Sequence, residues 1–201
     1  MNRREAMAGG AALMAFPFGS AGAQERKAKP GDIPFLVGAR TASALHILGK
    51  SPFVSIGKGR VVYAEMSNLC PYCQILHRRH PGPIAGLEMR YIAVPLNTGE
   101  TGEVARVWME RTPLAYNRYM AGGLRGTKPA TQVNVINNPP TGPDQVFTYH
   151  FRQLAAVDRL FREVYPDQSF VGTPKFFLQV NDELGHMSGV SALKWIIDNF
   201  T

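Results

Sequence analysis

Apolar and polar positions along this 201-residue chain change their period several times, and each change marks an element. Short runs rich in β-branched and aromatic residues predict strands at Val61 to Met66 ("VVYAEM") and Leu87 to Leu96 ("LEMRYIAVPL"). A third run follows Pro174 in "SFVGTPKFFLQV", and Asn181-Asp182 turns it towards a short partner near Gly185-His186-Met187. "FVSI", "GKGR" and "VVYAEM" together predict strand, turn and strand, a hairpin. Helical spacing is clearest from Phe147 to Tyr165, where Phe147, Phe151, Leu154, Phe161 and Tyr165 lie near one face. It recurs at the end, where Ser191 caps a helix carrying Leu193, Ile196, Ile197 and Phe200 at i, i+3, i+4 and i+7. Glu103 to Arg111 and Pro113 to Ala121 are two further helices, with Thr112 as N-cap and Pro113 in the first turn of the second. "ARTASALHILGK" (39 to 50) predicts a short helix ended by Gly49. Residues 24 to 37 are polar and broken by Pro and Gly, which predicts a mobile lead-in. Residues 122 to 146 hold four glycines and four prolines and predict a long loop. No repeat stands out. The order of strand, helix, strand, helical pieces, strand, strand and helix is an α/β layout whose helices must cover a small sheet.

Both cysteines of the chain, Cys70 and Cys73, fall in "SNLCPYCQILHRRH" (67 to 80), where the strand from Val61 meets a helix. Pro71 suits the first helical turn, because its missing N–H is not needed there. Pro81-Gly82-Pro83 ends the helix. Such a pair can clip a metal, hold a haem, staple a loop or exchange electrons. A structural zinc needs four ligands around a tetrahedron, whereas Cys70, Cys73, His77 and His80 all stand on one helix. No metal is expected, and the methionines show no copper-like clustering. Attached c-type haem needs His directly after the second cysteine, and residue 74 is Gln. A staple closing so small a loop stabilises little. Electron exchange has a physical basis. A cysteine at a helix N-terminus faces unpaired backbone N–H groups that favour its thiolate, and the thiolate is the nucleophile that attacks disulfides. Cys70 has that place. Cys73, one turn in, is expected to stay protonated until it resolves the mixed disulfide, with Pro71 and Tyr72 setting the stiffness between them. No cofactor is required.

The N-terminus places this chemistry. "MNRREAMAGGAALMAFPFGSAGAQ" has a basic start, an apolar run from about Ala6 to Phe18, and the small-residue pattern Ala21-Gly22-Ala23. These are the parts of a secretory signal over residues 1 to 23. The run is shorter than the roughly 20 apolar residues that span a bilayer. Arg3-Arg4 raises the twin-arginine route beside the general one. Outside the cytosol thiols meet oxidising conditions, so a lone CxxC is not kept reduced by default. Net charge is +7 with basic residues scattered, and no Lys/Arg block interleaved with aromatics points to nucleic acid.

A strand leading straight into a CxxC helix is a thioredoxin-like signature. "YAEMSNLCPYCQILHRRHPG", "RYIAVPL", "VARVWMERTPLAYNRYMAGG" and "VGTPKFFLQV" together resemble the catalytic domain of periplasmic disulfide isomerases of the DsbC/DsbG type. The resemblance covers about residues 50 to 200. CPYC also occurs in glutaredoxins, but about a hundred residues separate Cys73 from Pro174, where a βαβ unit needs about thirty or somewhat more. The surplus matches the helical insertion of the exported family. The resemblance implies a thioredoxin-like fold with a helical insertion between the CxxC helix unit and the cis-proline strand. It implies catalytic roles for Cys70 and Cys73, and substrate contact by Pro71, Tyr72, Thr173 and Pro174. The Thr173–Pro174 bond is then cis and faces the CxxC.

The same resemblance implies unfolded or misfolded exported proteins as substrates, and a membrane redox partner of DsbD type, or of DsbB type for an oxidase. A peptide-binding assembly factor of a secretion or conjugation system is the third alternative; activity surviving loss of both cysteines would mark it. The domain expectation is signal peptide 1–23, lead-in and linker-helix remnant 24–50, and catalytic domain 51–201. With no room for the dimerisation domain of those isomerases, a monomer is expected. Thioredoxins bury a carboxylate six residues before the first cysteine. Here that position is Ala64, and Glu65 is expected on the opposite face of the strand.

Other residues have plainer explanations. His77, Arg78, Arg79 and His80 are cations suited to a helix C-terminus, where they also have the option of tuning Cys70. His46 and His150 are expected as surface or packing residues. His186 is a candidate for approaching the site from the last strand. Trp108, Phe151, Phe161 and Trp195 are expected in the core.

Overall fold

The computed structural model describes residues 33–124, 128–131, 142–170 and 172–201. The predicted signal segment 1–23 and parts of the 122–146 stretch lie outside these residues. In chain order the elements are β1 (Phe35–Leu36), α1 (Ala39–Lys50), β2 (Val54–Gly57), β3 (Arg60–Met66), α2 (Pro71–Arg79) and β4 (Leu87–Ala93). A single 3-10 turn (Thr98–Glu100) then leads into α3 (Thr101–Glu110), α4 (Pro113–Met120), α5 (Pro143–Val164), β5 (Lys175–Val180), β6 (Glu183–Ser188) and α6 (Val190–Phe200). The six strands form one sheet in the order β1-β6-β5-β3-β4-β2. Within it, β3 and β4 are parallel and joined through α2, while β5 and β6 form an antiparallel hairpin followed by α6. That arrangement is a thioredoxin-like fold, with α3, α4 and α5 as the helical insertion between β4 and β5.

The central strand β3 is buried along most of its length. Both its edges are occupied, by β4 on one side and β5 on the other. The predicted β2–β3 hairpin therefore does not form. β2 pairs antiparallel with β4 instead, Val54 opposite Tyr91 and Gly57 opposite Glu88. The turn between β2 and β3 steps across the start of β4, where Arg60 N–H donates to the Gly86 carbonyl at 2.9 Å. Gly57 and Gly59 permit that step. Both have positive φ (92° and 130°), and a Cβ on either would run into the backbone carbonyl of Leu87 or Gly86.

Other expectations are corrected as well. Residues 33–50 are part of the body of the fold rather than a lead-in. Leu36, Ala44 and Leu48 are fully buried, α1 packs on α5, and β1 pairs with β6. The Tyr165 hydroxyl clamps β1 on both sides, donating to the Phe35 carbonyl (2.8 Å) and accepting from its N–H (3.0 Å). The long amphipathic helix starts four residues earlier than the apolar stripe suggests, at Pro143, because proline is at home in a first turn. Its stripe buries Phe147, Leu154, Val157 and Phe161, but Phe151 lies at the margin, stacked on Phe147 and 38% exposed. Trp108 and Phe161 are core, as expected, and Trp195 is half-buried against Phe200.

Register divides the sheet into two faces. Ala64, Tyr91, Phe176 and Met187 stand side by side on one. Tyr91 stacks on Tyr116 of α4, which in turn meets His77 of α2, so this is the face of the cysteine helix. Tyr63, Phe177 and His186 share the other face, where Phe161 of α5 packs on Phe177 and His186. Glu65 and Lys175 are opposite each other in register on that second face. The Lys175 ammonium reaches Glu65 at 3.2 Å and Asp158 of α5 at 2.7 Å, all three largely out of water. One ammonium cannot neutralise two carboxylates. Burial and the nearby Asp158 therefore raise the Glu65 pKa despite the opposing pull of Lys175. Burial alone would lower the Lys175 pKa, but its two carboxylates outweigh it and raise it.

Removing only the cation from this cluster leaves two buried carboxylates facing each other. Lys175→Met is expected to cost about 3–5 kcal/mol in urea unfolding, whereas replacing all three residues by apolar ones should recover most of that. A single variant as stable as the parent would mean that the cluster is solvated.

Candidate active site

Cys70 is the N-cap of α2, with extended backbone (φ −81°, ψ 115°) and Pro71 in the first helical position. Its sulfur accepts from the Cys73 N–H at 3.4 Å. Cys73, one turn along, is fully buried, whereas Cys70 retains 4% exposure. Neither is in a disulfide. Pro71 and Tyr72 between them are exposed, Tyr72 at 54%, and Leu69 beside the pair is also exposed. The structure brings Thr173 and Pro174 to the same spot from 103 residues away: the Cys70 thiol donates to the Thr173 carbonyl at 3.2 Å. The Thr173–Pro174 bond is cis, as the resemblance implies.

The two sulfurs have opposite acidities. The Cys73 thiol donates to Cys70 and is the largest influence on it, lowering the Cys70 pKa to about 5 against the opposing effect of burial. The Thr173 side chain and the backbone N–H groups of Cys73 and Tyr72 add to the lowering. The Thr173 hydroxyl is buried with no hydrogen-bond partner among the described residues, so it is free to turn towards the anion when the thiol ionises. The same hydrogen bond, with burial, pushes the Cys73 thiol far up. A thiolate nucleophile and a protonated thiol thus stand one turn apart.

The link from β3 to Cys70 is held by groups whose role the sequence did not betray. Glu100, 2% exposed, receives three donors: the Ser67 hydroxyl (2.8 Å), the Tyr119 hydroxyl (2.9 Å) and the Leu96 N–H (2.7 Å). Asn68 donates to Glu103 at 2.8 Å and to the Tyr119 carbonyl at 3.1 Å, while the Gln74 amide donates to the Asn68 carbonyl. The Ser67 hydroxyl accepts from the Leu69 N–H at 3.1 Å. The helical insertion therefore fixes the approach to Cys70 through buried, hydrogen-bonded polar groups, which specify one geometry, with Asn68 Oδ1 left without a partner among the described residues. In sequence Glu100 and Glu103 look like ordinary solvated acids at the start of a helix.

The histidines sort differently. His77, Arg78 and Arg79 occupy the last turn of α2 and His80 caps it, where positive charge is favourable. Burial, then Arg78, lowers the His77 pKa. His186 does not reach the cysteines; it is buried among Phe161, Phe170 and Phe177 on the opposite face, where burial and then Lys175 push it down to about 3. His150 packs against Trp108 and Tyr149, and burial, then Arg111, brings it to about 4. His46 is exposed. Among the described residues no group of three or more His, Cys, Asp or Glu side chains is placed to hold a metal, and no helix is long and apolar enough to cross a membrane.

The class defined by fold and site is thioredoxin-like with a CxxC at the cysteine-helix N-terminus. No protein-family model and no curated protein matches the chain. Solved structures do. The thiol-disulfide exchange protein alpha-DsbA2 from Wolbachia pipientis is 10% identical at a TM-score of 0.37, covering 80% of this chain and 96% of that one. A periplasmic thioredoxin-like protein from Salmonella enterica serovar Typhimurium is 13% identical at the same TM-score, covering 81% and 97%. ScsC from Proteus mirabilis, in a compact conformation, is 15% identical at 0.37, covering 81% and 79%.

Ionisation of the reduced protein, followed by thiolate absorbance, should show a first midpoint near pH 5, and alkylation at pH 6 should label Cys70 and spare Cys73. Stability should follow. The Cys70 pKa is depressed on folding, so the reduced form gains stability that is complete above the unfolded thiol value of about 8.5. That gain is lost as pH falls through about 5. The oxidised form has no such thiol and should lack the trend. Equal labelling of the two cysteines would overturn the assignment.

Proposed function

We propose that this protein exchanges disulfides with cysteines of exported polypeptides through Cys70 and Cys73, working in the isomerase or reductase direction of the DsbC/DsbG type. The observation that carries the exchange, in either direction, is the pair of sulfurs one turn apart at the start of α2, Cys70 accepting from the Cys73 N–H and lying against the Thr173 carbonyl, with the lowered Cys70 and raised Cys73 acidities in support. Attack by the Cys70 sulfur on a substrate disulfide forms a mixed disulfide and releases one substrate thiolate. Cys73 then attacks Cys70, closing the CxxC bond and releasing the second; the substrate gains two electrons and the CxxC loses them. Exposed Leu69, Pro71 and Tyr72 offer an apolar margin for an unfolded chain around the buried sulfurs. Residues 1–23 direct export to the periplasm and are removed after Ala23. A DsbD-type membrane donor returns the pair to the dithiol. The monomer expected above releases substrates after one exchange.

A specific observation favours the reverse direction as the second reading. Stabilising the Cys70 thiolate to about 5 stabilises the reduced form, and that makes the disulfide form a good oxidant. In that case a DsbB-type partner recharges the CxxC.

The experiment that separates them is an acid-quenched alkylation of the protein from living cells. A dithiol in the parent strain that becomes a disulfide without the membrane reductant supports the first direction, and a standing disulfide supports the second. A Cys73→Ala variant should accumulate mixed disulfides with exported proteins through Cys70. Cys70→Ser, Cys73→Ser with undiminished function in the cell would leave a binding protein and overturn exchange altogether.

A further inference from the structure

Resolution of the mixed disulfide sets a problem that this site does not solve in the usual place. Cys73 must lose its proton before it can attack Cys70, yet it is fully buried, and burial alone, which persists once Cys70 is bonded to substrate, raises its pKa. The sheet position beneath the cysteines is Ala64, and Glu65 points away, held by Lys175 across the sheet. The base has to come from the cysteine side.

One direction from Cys73, along α2, leads to a basic group and, beyond it, to an open groove. Four residues on along α2 stands His77, and residues at i and i+4 share a face with Cβ atoms about 5–6 Å apart, a span that one water bridges. Tyr116 of α4 flanks both. It packs edge-on against the imidazole, centroids 5.7 Å apart, and lies within electrostatic reach of Cys73. Its hydroxyl is buried with no hydrogen-bond partner among the described residues, the kind of atom that orders a water or receives a nearby donor. On its other side His77 lines an open groove of about 600 Å³ with Gln74, Arg78, Pro81, Met120 and Gly122, so the imidazole joins the buried sulfur's side to solvent.

We propose that His77 is the base that accepts the Cys73 proton when the mixed disulfide is resolved, by way of a water beside the Tyr116 hydroxyl, and that it passes the proton on to the groove between α2 and the end of α4. This rests on the exchange reading above. The Cys73 S–H proton passes to the neutral imidazole. The resulting thiolate attacks the Cys70 sulfur, the Cys70–Cys73 bond forms, and the bond from Cys70 to substrate breaks. The substrate sulfur leaves as a thiolate, and the imidazolium returns the proton to solvent. The titratable and charged neighbours suit the base form. Arg78 on α2 disfavours imidazolium, Tyr116 on α4 and Tyr91 behind it on β4 are neutral phenols with raised pKa values, and burial acts in the same sense as Arg78. His77 is therefore neutral at pH 7.

Single-turnover mixing of the reduced protein with a fluorescent peptide disulfide separates the steps: acid quench and mass spectrometry read mixed-disulfide formation, and release of the second peptide thiol reads resolution. His77→Gln should leave formation unchanged and slow resolution at pH 7 by roughly 10²-fold, the scale of a positioned general base. Added imidazole should restore part of that loss, which a merely structural role for the ring would not allow. The parent protein, which needs no substitution to be tested, should show a resolution rate that rises with pH, inflects below 6.5 and is then flat to pH 8. A His77→Gln protein that resolves at the parent rate overturns the proposal, as does a parent profile still climbing between pH 7 and 8. Equal slowing of both steps also overturns it, because His77 would then act on the fold. If the parent forms no mixed disulfide at all, the exchange reading itself fails, an outcome distinct from the other three.

Discussion

Two sulfurs one helical turn apart share a hydrogen bond at the start of α2, and the sharing is unequal. Cys73 gives its proton to the bond and Cys70 takes the charge. The inequality does not come from either cysteine alone. Cys70 sits at the N-cap, where the Cys73 N–H and the Thr173 side chain add donors, and Cys73 sits below it, fully buried. If α2 began one residue later, both thiols would lose this arrangement. Much of the rest of the fold can be understood as holding that first turn in register against Pro174 and the strand that follows it.

Two buried polar clusters do the holding, one from each side of the sheet. On the cysteine side, Glu100 gathers Ser67, Tyr119 and the Leu96 N–H, and ties the approach to Cys70 to the helical insertion. On the opposite side, Lys175 follows Pro174 directly and binds Glu65 and Asp158. The first cluster is well satisfied and specifies geometry. The second carries an excess of negative charge and is costly by itself. Its place suggests what it contributes: it fixes the first residue of β5 against β3, five residues ahead of Cys70 and one after Pro174. Thr173 thereby meets the sulfur at a set distance.

How much of this could be read from the sequence depended on how local the signal was. Cys70, Pro71 and Cys73 announce a helix start and its chemistry within four residues, and Thr173-Pro174 adds a short distinctive partner. Strand and helix identities followed from period. Pairing did not, because "FVSIGKGRVVYAEM" is compatible with a hairpin, and nothing within it shows that β4 will come between its strands. Only the competition for both edges of β3 decides that. The start of α5 at Pro143 was hidden inside a run of turn residues, and β1 in a segment too short to show alternation. The buried acids were least legible of all. Glu100 and Glu103 become interior only because the insertion folds back over Ser67 and Asn68, a contact between segments more than thirty residues apart.

The offset between Ala64 and Glu65 shows how one residue of register redistributes chemistry across a sheet. Side chains alternate along a strand, so a carboxylate five residues before Cys70 faces α5, and one six residues before would face α2. At Glu65 the acid cannot serve the cysteine pair through the backbone of β3, and it is engaged by Lys175 instead. The cysteine face is left apolar and aromatic: Ala64, Tyr91, Phe176 and, behind them, Tyr116. An apolar floor keeps Cys73 protonated, which preserves the unequal hydrogen bond that makes Cys70 nucleophilic. It also denies Cys73 a base from below. Proton removal must then come along the helix and not through the sheet, and the residue one turn on, with a ring half in the protein and half in the groove, is His77.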